Sequence, residues 1–322
     1  MRITNDGGAI PAMQDNIPPI LSIVLVVYKM PRQALNTLHS LCTAYQQRVS
    51  LSDIEFIVVE NSSDSLLGEQ AVREVNGTIR YFLREETVPS PVPALNFGWK
   101  QARASHVALM IDGARMLSPG VLGLCLQAIK SDPAAVITVP GYHLGQKLQQ
   151  EAAAGGYDET VERGLLEGIQ WPESGYRLFD IACLSGSCRS GFFLPMSESN
   201  FLALPKSTLE DLGGFDEHFN THGGGYANLD LYRRVCGQLE TEITILFGEG
   251  TFHQFHGGAT TGGSGKDERA SIMQSLREQY EQLRGEKFVA PVVNAQYKGA
   301  LEPPVMKFVR HSLEAFERTQ SG

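Results

Sequence analysis

The sequence lacks a paired-cysteine pattern. Its five cysteines, Cys42, Cys125, Cys183, Cys188 and Cys236, are odd in number and widely scattered. This excludes a complete disulfide framework and offers no zinc-cluster spacing, so Cys183 and Cys188 read as ordinary loop or core residues. Positive charge is also scarce, with Lys+Arg 27 against Asp+Glu 36 and a net charge of -9. A nucleic acid is therefore not expected as the main partner, because neutralising a phosphate backbone needs a basic surface. A small anionic ligand stays open if cations or a metal are local. Long apolar runs are missing too: the stretch from Ile17 to Tyr28 contains two prolines and is far too short to cross a bilayer as a helix. The expectation is a chain with no signal peptide and no integral membrane segment, residing in the cytoplasm. No internal repeat is visible.

What is present suits a folded enzyme-sized chain. The 322 residues, 42% hydrophobic and 20% charged, have material for one large domain or two modest ones. Residues 1–19 are rich in Gly, Pro, Asn and Asp, without periodicity, and read as a loose N-terminal arm. From Leu21 a continuous apolar strand to Val27 is followed by helical spacing over Arg32 to Gln47. Strands at Ile54–Val59, Ile79–Leu83, His106–Ile111 and Ala135–Val139 alternate with helices at Ala94–Ala104 and from Ser118-Pro119 to Lys130, Ser118 being the expected N-cap. This rhythm predicts an α/β fold with a mostly parallel central sheet flanked by helices. Such sheets bind ligands at the carboxyl ends of their strands.

Beyond Pro140 the rhythm breaks. Residues 143–190 read as a long irregular insertion, whose Trp171, Tyr176 and Arg189 are candidates for touching an acceptor. Strand signals return at Phe201–Leu204 and Ile243–Phe247, with Ser207 expected to cap a short helix and another helix over Asn228–Cys236. The tail holds helical patterns at Lys266–Arg284 and Pro304–Arg318, joined by a Pro- and Asn-containing linker.

Several residues at the expected binding edge could carry chemistry. Tyr28 follows the first strand and could stack on a base, while Glu60-Asn61 follows the second and could accept from a base N–H or ribose hydroxyls, although Asn61-Ser62-Ser63 equally suits a plain turn. Asp112 ends a buried strand. The segment "GEGTFHQFHGGATTG" supplies His253 and His256 next to a glycine-rich loop. Two imidazoles and a carboxylate suit manganese or a related divalent ion, with diphosphate oxygens filling the remaining positions; loop packing is the plainer alternative for the histidines. In "LGGFDEHFNTHGGGYANLDLYRRV" the glycines permit close backbone approach, and Asn228 and Asp230 open a helix, as caps or as cleft residues.

Taken in order, "SIVLVVYK", "EFIVVENSS", "PALNFGWKQARASHVALMIDGA" and "GGFDEHF…NLDL" resemble the GT-A glycosyltransferases, particularly family 2, over about Ser22 to Gly262. The resemblance implies a Rossmann-like GT-A domain over 20–262, with a nucleotide-binding half over 20–140, an acceptor-side half over 141–262 and a helical C-terminal extension over 263–322. It implies a nucleoside diphosphate sugar, most simply a UDP-sugar, as donor, and a glycan, small molecule or peptide as acceptor. A divalent cation, manganese or magnesium, would sit at Asp112, His253 and His256. Tyr28, Glu60, Asn96, Asp112 and Arg115 would contact the donor, and Asn228 and Asp230 would serve catalysis.

Two departures bear on mechanism. The family's Asp-x-Asp stands here as Asp112-Gly113-Ala114, so one expected metal ligand is absent; Arg115 could instead neutralise the diphosphate if it points into the cleft. The acceptor motif has Ala227 and Asn228 where the family has Glu and its catalytic Asp, and an amide cannot serve as a general base. The run Asn228-Leu229-Asp230-Leu231 is similar to that of retaining polypeptide N-acetylgalactosaminyltransferases, which implies retention with proton removal assisted by the departing diphosphate. The alternatives are a non-catalytic nucleotide-sugar or glycan-binding relative and, last, a nucleotidyltransferase, whose glycine-rich loop "VVYKMPRQ" does not supply.

Overall fold

The computed structural model describes residues 18–75, 77–238, 242–256 and 266–321. The expected N-terminal arm and the glycine-rich stretch after His256 therefore lie almost wholly outside the described residues. The first half alternates β1 (Leu21–Val27), α1 (Pro31–Leu41), β2 (Ile54–Asn61), α2 (Glu69–Arg73), β3 (Ile79–Arg84), α3 (Val92–Lys100) and β4 (His106–Met110). Next come β5 (Arg115–Leu117), α4 (Val121–Ser131), β6 (Ile137–Thr138), β7 (Gly141–Leu144), α5 (Gln149–Ala152), α6 (Glu159–Gly168) and β8 (Ala182–Leu184). The chain continues through β9 (Leu202–Pro205), α7 (Lys206–Leu212), α8 (Ala227–Gln238), β10 (Ile243–Phe247), β11 (Thr251–His253), α9 (Lys266–Arg284), β12 (Ala295–Gly299) and α10 (Met306–Gln320).

Among the described residues the main sheet has the order β12-β10-β6-β9-β4-β1-β2-β3. Its strand pairs are parallel except where β9 runs against β4 and β6. β1 shows why the sheet is central, since all seven of its residues are buried. Leu21, Ile23, Leu25 and Val27 pack on one face against α1 and α4, while Val24 and Val26 pack on the other against α3 and α8. Each such aliphatic side chain contributes about 1.5–3 kcal/mol of burial. Both faces are covered by helices, so a ligand must reach the sheet from an edge.

The expected strands and helices appear, with shifted ends. Ser118 is not an N-cap: α4 begins three residues later, and the Ser118 hydroxyl donates instead to buried Glu249, which also accepts the Gly120 N–H. The Glu249 carboxylate thus takes the capping role expected of the serine. Ser207 likewise lies inside α7 and makes no cap hydrogen bond.

The region expected to be irregular, 143–190, contains α5, α6, β8 and the end of β7, and these two strands join β5 and β11 in a second, smaller sheet ordered β5-β11-β7-β8. Hidden strands also occur in the tail. β12 lies in the segment expected to be a linker and pairs in parallel with β10 at the edge of the main sheet, so the C-terminal extension is not purely helical. Among the described residues no helix is long and apolar enough to cross a membrane.

Candidate functional site

β4 ends at Met110 and releases Asp112 at the carboxyl edge of the sheet. The chain then turns at once into β5, which pairs antiparallel with β11 so that Arg115 stands opposite His253. β7 lies on the other side of β11 and places His143 beside His253. A separation of more than a hundred residues is thereby closed: Asp112, His253 and His256 each offer a ligand atom, and these atoms all lie within 4.8 Å of one another.

The donor atoms suit a divalent cation. His253 Nε2 and His256 Nε2 are 3.1 Å apart, which is the spacing of neighbouring ligand atoms that each stand about 2.1 Å from one ion. Burial, with the Arg115 charge and the flanking imidazoles, holds His253 far below its ordinary titration range. Burial also lowers His256, with Arg115 adding to the effect and Asp112 opposing it. Burial alone would raise the Asp112 carboxyl, but Arg115, His256 and the Ala114 N–H together hold it below its usual range. Neutral imidazoles and an ionised carboxylate are the protonation states a metal requires.

Gln149 was not singled out by the sequence, yet it governs His253. Its Oε1 lies 2.5 Å from His253 Nδ1 while its Nε2 donates to the His253 carbonyl at 2.8 Å. The amide oxygen can only accept, so Nδ1 carries the ring proton and Nε2 is left bare toward the site. Replacing this second partner with Gln149→Leu is expected to weaken manganese binding about 10–100-fold. Calorimetric titration of the two proteins with Mn2+ checks this; equal affinities would show that the amide only fills space.

The strap carrying His256 is clamped along its length. Gln254 N donates to Ala114 O at 2.8 Å, Gln33 Nε2 to Phe255 O at 2.6 Å, and Phe255 N to Glu162 Oε2 at 2.7 Å. Arg32 and Tyr157 complete the shell of Glu162. α1 and α6 therefore hold the second imidazole in place.

The buried titratable groups set opposing pH effects. Burial pushes His143 down to about 3 from the ordinary 6.5. Below pH 6.5 the unfolded chain takes up this proton and the fold does not, so stability falls by up to about 1.4 kcal/mol per pH unit. Burial raises Glu162 and Glu249 to about 7 from 4.5, so their contribution is lost as pH rises through that window and recovered on acidification. Between pH 6.5 and 4.5 the two effects oppose each other; from 4.5 down to about 3 the raised carboxyls add nothing further, while the histidine loss continues and is joined by that of the carboxyls held below their usual range, Asp112 and Asp216. The urea midpoint should accordingly drop steeply below pH 4.5, and a level midpoint there would contradict the assignment of His143 as a buried neutral ring.

The other candidates are placed differently. Arg115 is largely buried and points at Asp112, its Nε 3.0 Å from Oδ2, with no further hydrogen bond to its terminal nitrogens among the described residues. Tyr28 stands half-exposed at the end of β1. Glu60 faces inward: it is fully buried and accepts from Leu67 N, Gly68 N and the Tyr81 hydroxyl. Its neighbour Asn61 has a buried Oδ1 with no hydrogen-bond partner among the described residues. Asn96 ties α3 to the Gly-Gly-Phe-Asp turn through Phe215 N, Phe215 O and Glu217.

Asp230 is also committed internally. It is buried between Arg234 and Arg284, which approach to 2.8 and 2.6 Å. Asn228 donates to Glu198, a residue the sequence did not mark. Trp171 packs near Tyr45, and the Tyr176 hydroxyl donates to Glu249.

A family model described as glycosyltransferase like family 2 matches residues 24–245. No curated protein gives a significant match. Among solved structures, Staphylococcus aureus TarS 1-349 in complex with UDP-GlcNAc superposes with a TM-score of 0.51 at 13% identity, covering 81% of this chain and 66% of that one. Its complex with UDP gives 0.50 at 13% identity, over 94% and 72%. A Pyrobaculum calidifontis mannosyltransferase bound to GDP-Man and Mn2+ gives 0.46 at 14% identity, over 96% and 73%.

Proposed function

The chain belongs to the glycosyltransferase-like family 2, and from that premise we propose that it transfers a hexosyl or N-acetylhexosaminyl group from a nucleoside diphosphate sugar to an acceptor, with help from a divalent cation. The observation that carries this reading is the meeting of Asp112, His253 and His256 at the carboxyl edge of the sheet. A cation held by those three residues would offset the charge that gathers on the departing diphosphate.

The chain's own groups supply the rest. Asp112 brings the negative charge, and Gln149 presents the bare Nε2 of His253. Arg115 has terminal nitrogens able to fork onto phosphate oxygens, and this electrostatic work is where most of the rate would arise. The half-exposed Tyr28 offers a face for the base. An unpaired buried acceptor costs about 1–3 kcal/mol, and a base N–H reaching Asn61 Oδ1 would relieve that cost. Glu60, satisfied from within, would instead support the loop under the base. A uridine donor is supported by the UDP-GlcNAc and UDP seen on TarS.

Asp230 would act by anchoring α8 to α9 through Arg284 rather than by touching substrate. Asn228 would orient its neighbours at the acceptor side. The retaining outcome expected from the Asn228–Leu231 run is the case in which no protein base acts.

Calorimetry with UDP, UDP-GlcNAc and GDP-mannose, with and without Mn2+, followed by an assay of nucleotide release, tests the reading. Metal-dependent binding with turnover is the expected result. Affinity without turnover would favour a binding relative that kept the cradle, for which Ala114 and Asn228 are the warrant.

A further inference from the structure

We infer that Glu198 is the general base of the transfer. The inference rests on the transferase reading above and supplies the proton acceptor which Asn228, being an amide, cannot provide. Asn228 Nδ2 donates to Glu198 Oε2 at 2.7 Å, to Ser199 O at 3.3 Å and to Asn200 Oδ1 at 3.4 Å. The amide at the start of α8 is thus used to hold a carboxylate from another part of the chain.

The sheet puts that carboxylate at the right edge. β9 runs against β4 with Leu202 opposite Leu109, so the residues just before β9 pass beside the end of β4, where Asp112 emerges. Ser199 pins this approach, its hydroxyl bonding Val139 O and Phe201 O and accepting Val139 N.

The neighbouring carboxylates are already spoken for. Asp230 is buried against two arginines, and Asp216 binds Arg284 and His218. Glu217 accepts from Asn96, and Asp112 accepts from Ala114 N and Arg115. Glu198 is part-exposed, has one oxygen steadied by Asn228, and has no other hydrogen-bond partner among the described residues. A base needs this combination of fixed position and an open oxygen within reach of a proton.

In the step, an acceptor hydroxyl oxygen forms a bond to the anomeric carbon of the donor as its proton passes to Glu198. The bond from that carbon to the diphosphate oxygen breaks, and its electron pair leaves with the nucleoside diphosphate. Attack opposite the leaving group inverts the anomeric configuration, which reverses the retaining expectation drawn from the Asn-Leu-Asp-Leu run.

Water can stand in for the acceptor. The full chain with Mn2+ is incubated with UDP-glucose, UDP-galactose, UDP-GlcNAc and GDP-mannose; nucleotide release is timed, and the anomer of the freed sugar is read at once by proton NMR. The wild type should hydrolyse at least one donor with inversion. Glu198→Gln, which keeps an acceptor for Asn228, should be at least about 100-fold slower with unchanged nucleotide affinity. Glu198→Asp, which keeps the carboxylate, should fall between them. A hydrolysing wild type matched in rate by Glu198→Gln, or one that releases sugar with retention, overturns the base alone. Donors bound but hydrolysed by no protein overturn the transferase reading together with the base.

Discussion

Asp112→Asn is expected to cut donor turnover by at least about 1,000-fold while leaving the fold in place. The amide keeps an acceptor for the Ala114 N–H but removes the only anionic ligand of the three that meet at the site. Charge stabilisation by a cation is worth several kcal/mol, and each 1.36 kcal/mol is tenfold in rate, which sets the scale of the loss. Arg115 loses its charged partner as well. The urea midpoint should therefore move only by the equivalent of about 1 kcal/mol. Parallel assays of nucleotide release, Mn2+ affinity and unfolding check the three parts separately. Wild-type turnover that persists in excess chelator would remove the metal from the account and leave Arg115 as the charge that meets the diphosphate.

Restoring the missing acid should do harm. Ala114→Asp rebuilds the Asp-x-Asp pattern on paper, but Ala114 is fully buried and packs within the hydrophobic cluster under α1 and α4. Its N–H is given to Asp112 and its carbonyl accepts from Gln254. A carboxylate there would be an unpaired buried charge, costing about 3–5 kcal/mol of stability. We expect a large drop in the urea midpoint and no tightening of Mn2+. A variant as stable as the wild type that binds the ion more strongly would show that the 114 side chain can turn into the cleft. The short residue at 114 is thus accounted for by packing, and the imidazoles that meet Asp112 come from β11 and the strap after it.

The candidate site was legible in part. Asp112 stands out because an acid ends an apolar strand, and His253 and His256 because two imidazoles precede glycines. Their meeting depends on β5, β7 and β11 forming a second sheet, and those strands are only three or four residues long. No periodicity develops over so few positions. Gln149 and Glu198 lie in stretches without a pattern, and each matters only through a partner far away in sequence, 104 residues for Gln149 and His253 and 30 for Glu198 and Asn228. The same limit produced the errors at caps. Ser118 looks like an N-cap because serine before proline is a local signal, and Glu249, which caps α4, arrives from 131 residues away.

The sequence by itself determined the α/β rhythm from β1 to β4, the parallel core and the edge at which a site would open, because strand and helix periods are written in neighbouring residues. It also supplied the chemical kinds present, a lone acid, paired imidazoles and an amide where a base was expected. The tertiary structure alone decided which of these groups meet. Sheet order brings Asp112 to His253 and turns Glu60 and Asp230 inward, each to be satisfied by its own donors. The physical reason is that a side chain's role is set by what lies within about 3 Å of it, and those neighbours come from packing between distant segments rather than from the order of the chain.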